Sequence, residues 1–271
     1  MTFGIETHRS FVNTWECDEN AHLNVQFYWK RFGQAARIFT HRSQQPQQDW
    51  IDRHVRYHRE LLVSTNTIIE TAPIANQSLT VHLMSNGETG DIAATAVDSY
   101  QNCWCDSPFE IETIPDPAMP RSLPAEPLEP IEPETVIADG LGLVTHRSII
   151  ESGECDENGR LSDQHHIARF SDAAPHFWLH LGVSRSLMHK KNLGSVAVEM
   201  KVTRHQPAMV SMPIQVTTWL HSVSEKSFSF RHQINDISTG EPLFSGAATA
   251  LMIDMETRKL APLPEAITKL L

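Results

Sequence analysis

Two stretches of this chain carry apolar residues at helical spacing. Between Val25 and Ser43 they fall at Phe27, Phe32, Ala35, Ala36 and Phe39, which predicts an amphipathic helix. Between Asp163 and Gly182 they fall at Ile167, Phe170, Ala174, Phe177 and Leu181, which predicts a second one. Asn24 and Ser162 stand just ahead of these stretches, where a side-chain oxygen can take an unpaired backbone N–H. Pro175 inside the second stretch predicts a kink or an early break. After each helix the pattern becomes extended. Residues 60–74, 77–87 and 90–102 read as strands in the first half, and residues 197–207, 212–223, 226–236 and 243–255 in the second. Each half therefore reads as strand, helix, then antiparallel meander. One buried helix wrapped by a curved sheet satisfies that order.

The resemblance between halves extends to the letters. Thr7–Leu23 and Thr145–Leu161 agree at ten of seventeen positions, including Glu-Cys-Asp-Glu-Asn in both. A repeat this long signals duplication of a whole domain, not a solenoid unit. Between the halves, eight of the chain's 16 prolines fall from Pro108 to Pro133. Proline cannot donate to a sheet, so this segment should be extended. Its apolar residues, Phe109, Ile111, Ile114, Leu123, Leu128 and Ile131, predict that it packs on the surface. The expected division is a first domain at 1–105, a Pro- and acid-rich linker at 106–141, and a second domain at 142–271.

Composition narrows the function. The formal net charge is -11, which opposes binding to a phosphate polymer, so nucleic acid is not an expected partner. No apolar run of membrane length occurs, and the first residues carry no secretory pattern. Four cysteines do not make a disulfide framework, and all four read as reduced thiols. Together these features predict a cytoplasmic protein with no membrane partner. Cys17 and Cys155 have no cationic neighbour to activate them and read as core-facing. The histidine pairs His54/His58 and His176/His180 have ligand spacing without an obvious third ligand, so no metal is expected.

The repeated motif carries the chemistry. A strand ending near Trp15–Cys17 leads into a tight turn at Asp18 and then into the helix after Asn24. The first N–H groups of a helix are unpaired and lie at the positive end of its dipole. A carboxylate beside such donors can attack a carbonyl, or activate water, while the donors hold the developing oxyanion. The alternative reading of Asp18 is an acid that only caps its turn.

The run Trp-Glu-Cys-Asp-Glu-Asn-Ala-His-Leu-Asn-Val-Gln-Phe-Tyr (Trp15–Tyr28) resembles the signature of the 4-hydroxybenzoyl-CoA thioesterase branch of the hotdog-fold superfamily. The resemblance implies an α+β tandem (double) hotdog and an acyl-CoA thioesterase. It makes Asp18 the catalytic carboxylate, Val25 the carbonyl-polarising backbone amide, Asn24 the residue that shapes and caps the turn, and His22 a lining or substrate-touching residue. Asp156 keeps the acid in the second copy. Arg160, Ser162 and Asp163 replace His22, Asn24 and Val25 there, and a second carboxylate beside the carbonyl site opposes an oxyanion. The first copy is therefore the expected working site. Arg9, Lys30, Arg31, Arg147 and Arg160 are candidate partners for CoA phosphates. No cofactor beyond the CoA of the substrate is implied, and a homo-oligomer is expected. Two other readings stay open: a hotdog enoyl-thioester hydratase or dehydratase, and a catalytically silent acyl-thioester-binding protein.

Overall fold

The computed structural model describes residues 3–44, 47–104 and 107–268. The chain divides into two compact units, residues 1–121 and 122–271. The first unit contains β1 (Ile5–Phe11), α1 (Val25–Arg42), β2 (Asp52–Tyr57), β3 (Asn66–Pro73), β4 (Leu79–Asn86) and β5 (Ile92–Ser99). Its strands are antiparallel in the order β1-β3-β4-β5-β2. The expected helix is present with the expected limits. Tyr28, Phe32, Ala35 and Phe39 recur at helical spacing and are all buried. Asn24 caps the helix as anticipated, its Oδ1 accepting the Gln26 N–H at 3.2 Å.

The second unit contains α2 (Pro133–Ala138), β6 (Gly142–Ile149), α3 (Asp163–His180), α4 (Arg185–Lys190), β7 (Leu193–Arg204), β8 (Pro213–Val223), β9 (Ser227–Asp236), β10 (Pro242–Asp254) and α5 (Glu265–Thr268). Its sheet runs β6-β8-β9-β10-β7, the same order of equivalent strands as in the first unit. Two details differ from expectation. The helix continues through Pro175 to His180, because proline's fixed φ suits a helix and only one N–H bond is forfeited. Ser162 makes no cap bond; its hydroxyl is hydrogen bonded to the His165 ring at 2.8 Å.

Close packing of α3 on its sheet depends on Gly246. A Cβ there would lie 2.4 Å from the Phe170 ring. Freed of that atom, Phe170 stacks on His232 with centroids 4.5 Å apart. The first unit has Ala96 at the matching register position, and Phe32 stands 6.1 Å from His82.

The proline-rich segment packs as its apolar residues predict. Ile111 bridges to Ile74 and Ile114 joins the same cluster, while Leu123 and Leu128 are buried against Ala247. Strand β2 and helix α4 had no clear pattern in the sequence. The first expected strand ends at Phe11; residues 14–16 form a 3-10 turn instead of continuing it. Among the described residues no helix is long and apolar enough to cross a membrane. Cys105 lies outside the described residues.

Candidate active site

The turn after β1 is a miniature hairpin that feeds α1. Asn24 N–H donates to the Glu16 carbonyl at 3.0 Å, Cys17 bridges to Leu23, and Asp18 N–H donates to the His22 carbonyl at 2.8 Å. Ala21 closes the tip at φ 60°, in the left-handed region. The hairpin is anchored to the chain before β3. Leu23 N–H donates to the Leu61 carbonyl, and Val63 N–H to the Ala21 carbonyl.

Asp18 sits at the end of this ladder and is exposed. Its Oδ1 accepts two backbone N–H groups, from Asn20 at 2.8 Å and His22 at 3.1 Å. That is the turn-capping role, and it fixes the carboxylate's orientation. Among the described residues Oδ2 accepts nothing. The Val25 N–H, first in α1, also has no acceptor among the described residues. One turn thus holds an oriented carboxylate with a spare oxygen and an unpaired amide at the positive end of a helix.

His22 is largely shielded, and its Nδ1 lies 3.3 Å from Glu60 Oε1. Glu60 had no signal as a site residue, since it lies thirty-eight positions away at the head of a stretch read as strand; the strand itself begins only at Asn66. A buried ion pair braces the base of the hairpin. Arg31 Nη2 donates to Glu16 Oε2 at 2.8 Å and to the Phe11 carbonyl at 3.0 Å, while Nε donates to Ser10 Oγ and Nη1 to the Phe27 carbonyl. Arg31 was expected on a substrate phosphate. With 3% of its surface exposed and its guanidinium committed to the turn, it is a brace instead. Despite its burial, the Arg31 and Asn13 bonds hold the Glu16 carboxyl below its usual range.

Of the other cationic candidates, Arg9 is exposed and forms a two-pronged pair with Glu6 at 2.8 and 2.6 Å. Lys30 is half-buried with its Nζ 5.9 Å from the Phe27 ring centre. Arg147 donates to Gln215 at 3.0 Å from an exposed position. Cys17 is half-buried, and its thiol is pushed up by burial and by Asp18 and Glu16, so it is no nucleophile at neutral pH. No group of three or more His, Cys, Asp or Glu among the described residues is placed to hold a metal.

The second unit repeats the backbone and changes the side chains. Asp156 Oδ1 accepts the Asn158 and Arg160 N–H groups at 2.8 and 3.0 Å, and Gly159 takes the left-handed position at φ 72°. Glu154 and Arg169 repeat the brace at 2.6 Å. The helix entrance differs, however. Asp163 occupies the first helical position and is paired with Arg204 at 2.5 Å. The bridges His22–Leu62 and Arg160–Met209 align the two anchoring segments, which sets Pro207 where the first unit has Glu60. His22 and its carboxylate partner are therefore replaced together.

Residues 150–271 match the family model of the thioesterase-like superfamily. Sequence comparison with curated proteins gave no significant match. By structure, the chain is similar to a protein described as an oleoyl thioesterase from Lactobacillus plantarum, with TM-score 0.64 and 10% identity over 97% of this chain and 98% of the other. It is also similar to an acyl-ACP thioesterase from Bacteroides thetaiotaomicron (TM-score 0.61, 10% identity, 90% and 96% covered). A third is the 12:0-ACP thioesterase from Umbellularia californica (TM-score 0.60, 10% identity, 92% and 94% covered). The chain is a double hotdog whose second half matches the thioesterase-like superfamily model. In this double hotdog the family match begins at Ile150, so it covers the half whose helix entrance carries Asp163. The unblocked entrance lies in the other half.

Proposed function

We propose that this double hotdog hydrolyses an acyl-CoA thioester at the Asp18 turn. The family match and the fold support thioester hydrolysis. The carrier and the residues are our reading. The observation that carries it is the pairing, in one hairpin, of a carboxylate with a free oxygen and a first-turn amide without an acceptor.

In this reading the thioester carbonyl oxygen meets the Val25 N–H. The Asp18 Oδ2 attacks the carbonyl carbon, or removes a proton from a water that does. Charge moves onto the carbonyl oxygen, where the amide and the helix dipole stabilise it; one such donor is worth roughly 3 kcal/mol of barrier. The tetrahedral centre then collapses, the C–S bond breaks and CoA leaves as thiolate. Water completes the balance, giving the free acid and, after protonation, the thiol. His22, held by Glu60, stands two residues before the helix cap, and in this reading it orients water or protonates the leaving sulfur.

The test is release of free thiol from a panel of acyl-CoAs. Asp18→Asn should lower kcat about a hundredfold or more, as removal of a positioned acid–base group does. Asp156→Asn should lower it less than threefold. Equal losses would overturn the assignment. A change in crotonyl-thioester absorbance without thiol release would favour the hydratase reading.

A further inference from the structure

The first unit has a cavity of about 680 Å³ beside α1 and β1, lined by His8, Gln34, Arg37, Ile38 and His41 among others. It does not include Asp18. Among the described residues none that lines it is a carboxylate, and Glu6 on β1 is paired with Arg9. Helix α1 has no Asp or Glu in 18 residues, yet it carries Lys30, Arg31, Arg37 and Arg42. Arg31 is committed to Glu16, and Arg42 donates to the Glu6 carbonyl at 2.8 Å, so the run is cationic in sequence on a chain of net charge -11.

His8 adds an unfilled bonding position. Its Nε2 donates to Gln34 Oε1 at 2.9 Å, and its Nδ1 is buried with no partner among the described residues. A buried polar atom left unpaired costs about 1–3 kcal/mol, so a ligand that satisfies it is favoured. A phosphodiester or diphosphate oxygen, which only accepts, can bond that nitrogen when the imidazole carries its second proton.

Distance selects the ligand. Gln34 and Arg37 stand nine and twelve residues beyond Val25 in α1, about 14 and 18 Å along the axis. In a pantetheine thioester about thirteen bonds separate sulfur from phosphorus, roughly 15 Å when extended at about 3.5 Å per three backbone bonds. An extended arm from a carbonyl at the Val25 amide is thus long enough to reach this cavity.

We propose that the α1–β1 cavity binds the phosphate at the end of a pantetheine thioester, with Arg37, His41 and His8 as its partners. The proposal rests on the thioesterase reading and specifies its carrier end. The second unit lacks such a site. The positions matching Gln34, Arg37 and His41 are Asp172, Pro175 and Leu179, and His146 is hydrogen bonded to Ser148.

The test compares Arg37→Gln/His41→Gln with wild type on three substrates of one acyl group: the CoA thioester, the acyl-carrier-protein thioester and the pantetheine thioester that lacks phosphate. We expect KM to rise about tenfold or more for a phosphate-bearing substrate, as expected for losing charge-assisted bonds, with kcat unchanged and the pantetheine substrate indifferent. A rise confined to CoA assigns the nucleotide phosphates; one confined to the carrier protein assigns its phosphodiester. Unchanged KM values, or an equal rise for the pantetheine substrate, would overturn the site. Calorimetric binding of CoA and of the phosphopantetheinylated carrier protein to Asp18→Asn needs no turnover. Binding of either that weakens in the Arg37/His41 background would sustain the site even if wild type releases no thiol.

Discussion

The two helix entrances share a backbone and differ in what they offer a carbonyl. Both hairpins close on an Asp that takes two N–H groups through one oxygen, and both are braced by a Glu–Arg pair fifteen positions apart. At Val25 the first helical position presents an apolar side chain and an unpaired amide. At Asp163 it presents a carboxylate held by Arg204. The hairpin alone is therefore a folding device, and two or three side chains decide whether it is also a site.

The cores diverge in the same way. In both, a Thr–Thr–His chain crosses the sheet: Thr7, Thr71 and His82 in one, Thr145, Thr218 and His232 in the other. His82 then meets Asp98 at 3.3 Å, and Asp98 holds Arg53 through two bonds of 2.6 Å with both side chains fully buried. The register places Met200 and Ala248 at the matching points of the second sheet. There His232 sees no carboxylate, and burial pushes its pKa down to about 3, so it stays neutral.

This gives the largest expected effect. Asp98→Ala leaves the Arg53 charge buried and should cost about 3–5 kcal/mol, read from denaturant unfolding. Arg53→Met combined with Asp98→Ala copies the second unit and should recover at least half of that loss. If single and double variants are equally unstable, the ion pair is more than a substitute for apolar packing. Asp98 also links stability to pH. Arg53 holds its carboxyl far below the usual range against the pull of burial. Its stabilisation is complete above the unfolded value of about 4 and is lost as pH falls through the lowered one. Wild type should therefore lose stability more steeply in acid than the double variant.

Next in size come the turn variants. Beyond the Asp18 and Asp156 comparison, Asp163→Val with Ser162→Asn and Arg160→His rebuilds the first entrance in the second unit. Thiol release in an Asp18→Asn background should then recover severalfold; no recovery would mean that the second unit lacks more than these three side chains. Glu60→Gln should lower kcat about tenfold with little change in KM, since it touches His22 and not the carbonyl site. An unchanged kcat would leave His22 a structural residue.

The limits of α1, the meanders and the doubled architecture were legible, because amphipathic spacing in the helices and alternation in the later strands come directly from one-sided burial; the passage of α3 through Pro175 was not. Strand β2 was not. Its Asp52, Arg53, His54 and Val55 are all buried, and a polar strand satisfied by partners across the sheet has no apolar signature. The turn was readable down to Asp18 and the Asn24 cap because local bonds form it. Glu60 was hidden because only tertiary structure brings it to His22. Arg31 misled for the same reason: a cation near a motif looks available until its partner, Glu16, is seen. The recurrence of Glu16/Arg31 as Glu154/Arg169 was nevertheless present in the repeat and would have revealed the brace.

The smallest expected effect isolates the hairpin from its chemistry. Ala21 at φ 60° and Gly159 at φ 72° occupy the same position in the two turns. A Cβ in the left-handed region costs on the order of 1 kcal/mol, while glycine sits there without strain. Ala21→Gly should therefore stabilise the first unit by up to about 1 kcal/mol, and Gly159→Ala should destabilise the second by about as much. A Cβ at position 159 would meet only ordinary contacts with Val210 and Met209, so crowding does not confuse the second measurement. Thermal unfolding of both variants reads the two signs. If Ala21→Gly instead lowers stability, the first turn gains more from its methyl group than the backbone loses, and the two hairpins are not the interchangeable scaffolds that their hydrogen bonds describe.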